Sequence, residues 1–149
     1  MSDLFKATTK SEDETEILGC SFASRLCGGD VVAYVGSFGA GKTCFTHGLA
    51  KGLGISCDIT SPSYTIVNEY RGININLYHF DMYRITGEDD LMSTGFYDYL
   101  ELGGICAIEW SENIEYGLPD AYFRIEFECT SVENERIITC KRVEKGNGV

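Results

Sequence analysis

Gly36-Ser37-Phe38-Gly39-Ala40-Gly41-Lys42-Thr43 decides the reading of this chain, because it satisfies G-x-x-x-x-G-K-[ST] at every fixed position. The glycines are needed where successive backbone N–H groups close around a phosphate and side chains would block the approach. Lys42 is spaced to reach the β- and γ-oxygens, and the Thr43 hydroxyl to ligate Mg2+. At this chain's Gly, Lys and Ser/Thr frequencies, a chance match somewhere along it is on the order of one in a hundred. The loop by itself therefore predicts an ATP or GTP site, read here as ATP, built on Gly36, Ser37, Phe38, Gly39, Ala40, Gly41, Lys42 and Thr43, with Lys42 in a catalytic position.

The flanks agree with that reading. Val31 to Val35 is a short apolar, β-branched run of the kind buried on both faces of a sheet. Phe45, Leu49 and Leu53 recur four apart after the loop, which predicts a helix from Lys42 ending near Gly54. Upstream, Ser11-Glu12-Asp13-Glu14 has capping-box spacing and opens an amphipathic helix from about Glu12 to Cys27, stopped by Gly28-Gly29.

Downstream, Tyr64 to Tyr70 and Ile75 to Phe80 read as an antiparallel pair around Arg71-Gly72. Glu88 to Leu100 is helical with a break at Gly95, and Ile105 to Trp110 is another buried strand. Ala121 to Cys129 and Arg136 to Arg142 alternate as a final hairpin, followed by a frayed tail over 144–149. The fold class is α/β: one three-layer P-loop NTPase domain over residues 1–149, with a central mixed, mostly parallel sheet, an antiparallel pair and a C-terminal hairpin.

A P-loop site needs carboxylates, because Mg2+ prefers hard oxygen ligands. Leu77-Tyr78-His79-Phe80-Asp81 is an apolar strand closed by an aspartate, the form of a Walker B element, and assigns Asp81 to the metal. Glu109 follows Ile105-Cys106-Ala107-Ile108 and would emerge on the same sheet edge as the loop, to orient or deprotonate the attacking water or to join the metal shell. Trp110 either covers the nucleotide or fills core, and is assigned to the nucleotide site. Arg84 is a charge-stabilising arginine or an ion-pair partner, and Thr60-Ser61-Pro62-Ser63 a γ-phosphate sensor or a plain turn. His79 is read as a packed residue outside the site, and Thr8, Thr9 and Trp110 as the candidates for the base pocket.

Composition narrows the partners. With 23 acidic against 12 basic side chains the net charge is −11, so the chain repels a phosphate backbone and is not expected to bind nucleic acid strongly by itself. Seven cysteines with no C-x-x-C pair argue against a disulfide framework or a zinc knuckle, and predict small buried thiols in a reducing compartment. The N-terminus lacks a signal-peptide core and no stretch reaches about 20 apolar residues, so the expected location is the cytoplasm, with no membrane partner.

Together these pieces resemble the TsaE (YjeE) ATPases. The resemblance is carried by Glu14-Thr15, Gly39-Ala40-Gly41-Lys42-Thr43, Ser61-Pro62-Ser63-Tyr64, Asn68-Glu69-Tyr70, His79-Phe80-Asp81-Met82-Tyr83-Arg84 and Ile108-Glu109-Trp110, in the family's order and spacing. Ser37-Phe38 and Ser63-Tyr64 stand where the family usually has an acidic residue with leucine and Thr-Phe. The resemblance implies a role in making threonylcarbamoyladenosine at position 37 of tRNAs that read codons beginning with A. The implied activity is an accessory ATPase, weak alone and stimulated by a TsaB-TsaD transferase complex, reaching tRNA only indirectly. By position, it implies phosphates on Lys42 and the loop, Mg2+ on Thr43 and Asp81, and Glu109 as the acidic residue needed for hydrolysis.

Two other readings use the same loop. A small-molecule kinase would share the phosphate cradle, although six arginines with no clustered lid segment argue against it. In a nucleotide-dependent assembly factor, ATP binding would shape a docking surface and hydrolysis would be incidental.

Overall fold

The computed structural model describes residues 3–36, 41–56, 58–60, 62 and 65–145. In chain order the elements are β1 (Asp3–Thr9), α1 (Glu12–Phe22), β2 (Val31–Val35), α2 (Lys42–Gly52), β3 (Val67–Tyr70), β4 (Leu77–Asp81), α3 (Glu88–Ser93), α4 (Phe96–Leu100), β5 (Ile105–Glu109), β6 (Ala121–Cys129) and β7 (Arg136–Glu144).

The seven strands form one sheet in the order β1-β7-β6-β2-β5-β4-β3. Parallel pairing is confined to its centre, where β2 lies between β5 and β6 and β4 joins β5. The outer pairs β1–β7, β6–β7 and β3–β4 are antiparallel. Alternation along β2 explains the layers. Val32 and Tyr34 pack on one side with Phe22, Phe45 and Leu49 of α1 and α2, while Val31 and Ala33 pack on the other with Leu91, Phe96 and Ile114. Helices on both faces bury the central strands completely, as an apolar run without polar alternation requires.

Helix α1 begins where the capping box places it, with the Ser11 hydroxyl accepting from Glu14 N–H at 3.1 Å. The reciprocal bond is displaced by one residue, since Glu14 Oε1 accepts from Lys10 N–H at 2.8 Å. The helix ends earlier than its periodicity predicts: Ala23–Arg25 tightens into a 3-10 turn, with Leu26 N–H donating to Ala23 O at 3.1 Å and the Ser24 hydroxyl to Ser21 O at 2.9 Å. Helices α1 and α2 pack backbone to backbone. A Cβ at Gly48 would run into the Glu16 carbonyl, and one at Gly19 into that of Phe45. That close approach fixes α2, and with it the residues at its N-terminus.

Three further expectations change. Strand β1 was not legible, because in Asp-Leu-Phe-Lys-Ala-Thr-Thr only Thr9 is buried, and the strand is a sheet edge paired to β7 alone. The predicted helix over Glu88 to Leu100 is two short helices, α3 and α4, joined at Gly95, whose φ of +79° places it in the left-handed region. Of the six described cysteines only Cys106 and Cys140 are buried, while Cys20, Cys27 and Cys129 are exposed. Among the described residues no helix is long and apolar enough to cross a membrane.

Candidate functional site

The site forms at the C-terminal edge of β2, β4 and β5. Strand β2 leaves the sheet through Gly36, at φ +148°, where a Cβ would come within 2.7 Å of the Phe127 carbonyl. The loop re-enters as α2 through Gly41, at φ +98°. Ser37, Phe38, Gly39 and Ala40, assigned above to the nucleotide, lie outside the described residues, as do Ser61 and Ser63 of the possible sensor loop.

Lys42 opens α2 and is only 5% exposed. Its Nζ donates to Gly36 O at 2.8 Å and lies 5.2 Å from the centre of the Trp110 ring, so the ammonium is held at the mouth of the loop. Thr43 follows it, exposed on the first turn of the helix, the end that carries positive partial charge. Beneath them Thr46 Oγ1 is 2.7 Å from Lys42 O and 2.9 Å from Tyr34 Oη. Burial holds the Tyr34 phenol far above its ordinary value, so it stays neutral under the loop.

Asp81 and Glu109 end neighbouring parallel strands and are Cα partners in the β4–β5 register. Both are nearly buried, at 8% and 7% exposure. Asp81 is fixed by its own turn, with Oδ1 accepting from Tyr83 N–H at 2.9 Å and its N–H donating to Ile66 O at 2.8 Å. The two carboxylates are hard-oxygen donors of the kind a divalent cation takes, and among the described residues no group of three or more His, Cys, Asp or Glu side chains forms a metal cluster.

Trp110 leaves β5 in the left-handed region, at φ 58° and ψ 39°, and its ring meets Tyr83 at 4.9 Å. That turn is pinned on both sides: the Ser111 hydroxyl donates to Tyr34 O at 3.0 Å and Asn113 Nδ2 to Met82 O at 3.0 Å. The tryptophan thus stands beside the Lys42 ammonium at the start of α2. The Thr9 hydroxyl lies 2.7 Å from that of Thr15, whose methyl flanks Gly41. Arg136, the β-sheet partner of Thr9, flanks Gly41 from β7. Arg84 is exposed, three residues beyond Asp81.

One residue set aside by the sequence reading belongs here. His79 is fully buried and its Nε2 lies 2.7 Å from Glu109 Oε2. Alternation along β4 was the available signal, since His79 sits two residues before Asp81 and shares its face. Arg136 was missed as well, because nothing local in the sequence announces that the start of β7 returns to the P-loop.

A glycine loop joining a buried parallel strand to a helix, with acidic residues ending the adjacent strands, defines a P-loop α/β protein. The comparisons make the assignment specific. The family model for "Threonylcarbamoyl adenosine biosynthesis protein TsaE" matches residues 9–138. The chain is 34% identical to the tRNA threonylcarbamoyladenosine biosynthesis protein TsaE of Bacillus subtilis, over 97% of this chain and 96% of that one. It is 36% identical to the TsaE of Treponema pallidum, over 89% and 97% respectively. A crystal structure of Bacillus subtilis YdiB superposes with a TM-score of 0.74 at 35% identity, over 94% of this chain and 85% of that one. The chain belongs to the TsaE family.

Proposed function

We propose that this protein is a Mg2+-dependent ATPase that supports formation of threonylcarbamoyladenosine in tRNA by acting on a TsaB-TsaD transferase complex. The observation that carries the proposal is the pairing of Asp81 with Glu109 across β4 and β5, beside an ammonium held at the P-loop mouth. Its setting in the pathway rests on membership of a family named for threonylcarbamoyl adenosine biosynthesis.

In this reading the loop backbone and the N-terminus of α2 receive the phosphates, and Lys42 neutralises charge on the β- and γ-oxygens. Thr43, Asp81 and Glu109 would hold the metal. Bound there, Mg2+ would offset phosphate charge and polarise the transferred phosphoryl group. Glu109 orients a water and accepts its proton as the oxygen adds to the γ-phosphorus, with ADP leaving. Trp110, packed against Tyr83, stands beside the Lys42 ammonium. The net charge of −11 favours a protein partner over direct contact with the tRNA backbone.

The test is repeated tRNA modification by a reconstituted TsaB-TsaD system. With the wild-type chain and ATP, many rounds per transferase are expected; with Lys42→Ala, product formation stops after the first. A Lys42→Ala protein that sustains the wild-type rate contradicts the proposal.

A further inference from the structure

His79 is fully buried in the sheet interior, two residues before Asp81, with no ligand role in the site just described. Its Nε2 is 2.7 Å from Glu109 Oε2, and its Nδ1 is buried with no hydrogen-bond partner among the described residues. The short contact identifies the donor. A carboxylate oxygen at that distance accepts, so Nε2 carries a hydrogen. Nε2–H is therefore the donor of this contact.

We propose that His79 is a positioning residue: its Nε2–H holds Oε2 of Glu109 and thereby fixes the carboxylate, leaving Oε1 for the chemistry. Glutamate has three side-chain torsions and this one leaves a strand end beside a tryptophan in the left-handed region, so without an anchor its carboxylate samples several orientations. The anchor itself has no such freedom. It lies between Leu77 and Asp81 on the sheet face packed by α2, on a strand buried along its whole length. An apolar side chain of similar volume would fill that space without burying two polar nitrogens, so the polar contact points to a function in orientation rather than in packing. This inference rests on the reading that Glu109 serves hydrolysis.

The experiment has a spectroscopic arm and a kinetic arm, both on the full chain. The protein has two histidines, His47 and His79, so nitrogen NMR of labelled imidazoles is assigned by the signals missing from His79→Gln. A hydrogen on Nε2 is expected for His79 without any nucleotide, with the ring's signals displaced in Glu109→Ala. An Nδ1–H tautomer, or signals indifferent to Glu109→Ala, overturns the proposal. In the kinetic arm, His79→Leu lowers kcat about tenfold or more with KM for MgATP within about twofold, and His79→Gln, which keeps an N–H near the same place, regains most of the loss. In a Glu109→Ala background, His79→Leu changes kcat no further. Should leucine prevent folding, His79→Met carries the same comparison.

A wild-type chain that hydrolyses ATP while its His79→Leu or His79→Met variant retains kcat contradicts the positioning role alone. A wild-type chain that does not turn over ATP with or without TsaB-TsaD contradicts the hydrolysis reading itself, whatever the tautomer.

Discussion

Asp81 and Glu109 face each other across a parallel strand pair, so their carboxylates reach the same edge of the sheet although 28 residues separate them in the chain. One is fixed by the Tyr83 N–H and the other by the His79 ring, and neither relies on solvent for its orientation. In the proposed reading Asp81 holds the metal, while Glu109 both joins the metal shell and activates the water. Asp81→Asn keeps the turn but removes a charge, so half-maximal ATP turnover requires about tenfold more Mg2+, measured by titrating the metal at saturating ATP. An unchanged Mg2+ requirement would show that Asp81 lies outside the metal shell.

Trp110 is the chain's single tryptophan and Lys42 Nζ sits 5.2 Å from its ring. Phosphates that draw the ammonium toward themselves alter the ring's surroundings. Intrinsic fluorescence therefore changes on adding ATP or ADP, and Lys42→Ala abolishes the change while lowering hydrolysis on the order of a hundredfold. Emission that follows nucleotide equally well in Lys42→Ala would separate Trp110 from the phosphate site.

The contact between α1 and α2 sets the position of the P-loop helix. Gly48→Ala forces a methyl against the Glu16 carbonyl and costs about 1–3 kcal/mol, read as a fall in the denaturant midpoint, with weaker ATP binding as α2 shifts. Full stability in that variant would mean that the two helices can separate without loss.

Burial pushes the Cys106 thiol from 9.0 up to about 12, and Cys140 likewise to about 12. The folded protein keeps these protons while the unfolded chain releases them above about pH 9, so unfolding binds fewer protons and stability declines as pH rises from about 9 toward 12. Thermal melts from pH 8 upward should show that decline, made shallower by Cys106→Ala. A native thiol reagent should label Cys20, Cys27 and Cys129 and spare Cys106 and Cys140 until the chain unfolds.

What the sequence disclosed followed from how local the causes were. Val31–Val35 and Ala121–Cys129 were bounded correctly because continuous apolarity and strict alternation report burial directly. The P-loop is a contiguous motif whose flanking elements follow the expected order. Strand β1 escaped notice because an edge strand with one buried residue carries no pattern, and its pairing to β7 joins opposite ends of the chain. The role of His79 was hidden for a similar reason: its partner is 30 residues away, and only the adjacency of β4 and β5 brings the two together. Arg136 reaches Gly41 through the same kind of distant return, along β7.

In the proposed function, a metal-dependent hydrolysis site at Lys42, Asp81 and Glu109 serves a transferase partner. Phosphate release from ATP, followed with the wild-type chain and with Glu109→Ala in the presence and absence of TsaB-TsaD, tests it most directly. The expected result is slow Mg2+-dependent turnover alone, clear stimulation by the complex, and loss of both in Glu109→Ala with nucleotide binding retained. Absence of stimulation, or a Glu109→Ala protein that hydrolyses ATP as the wild type does, would contradict it.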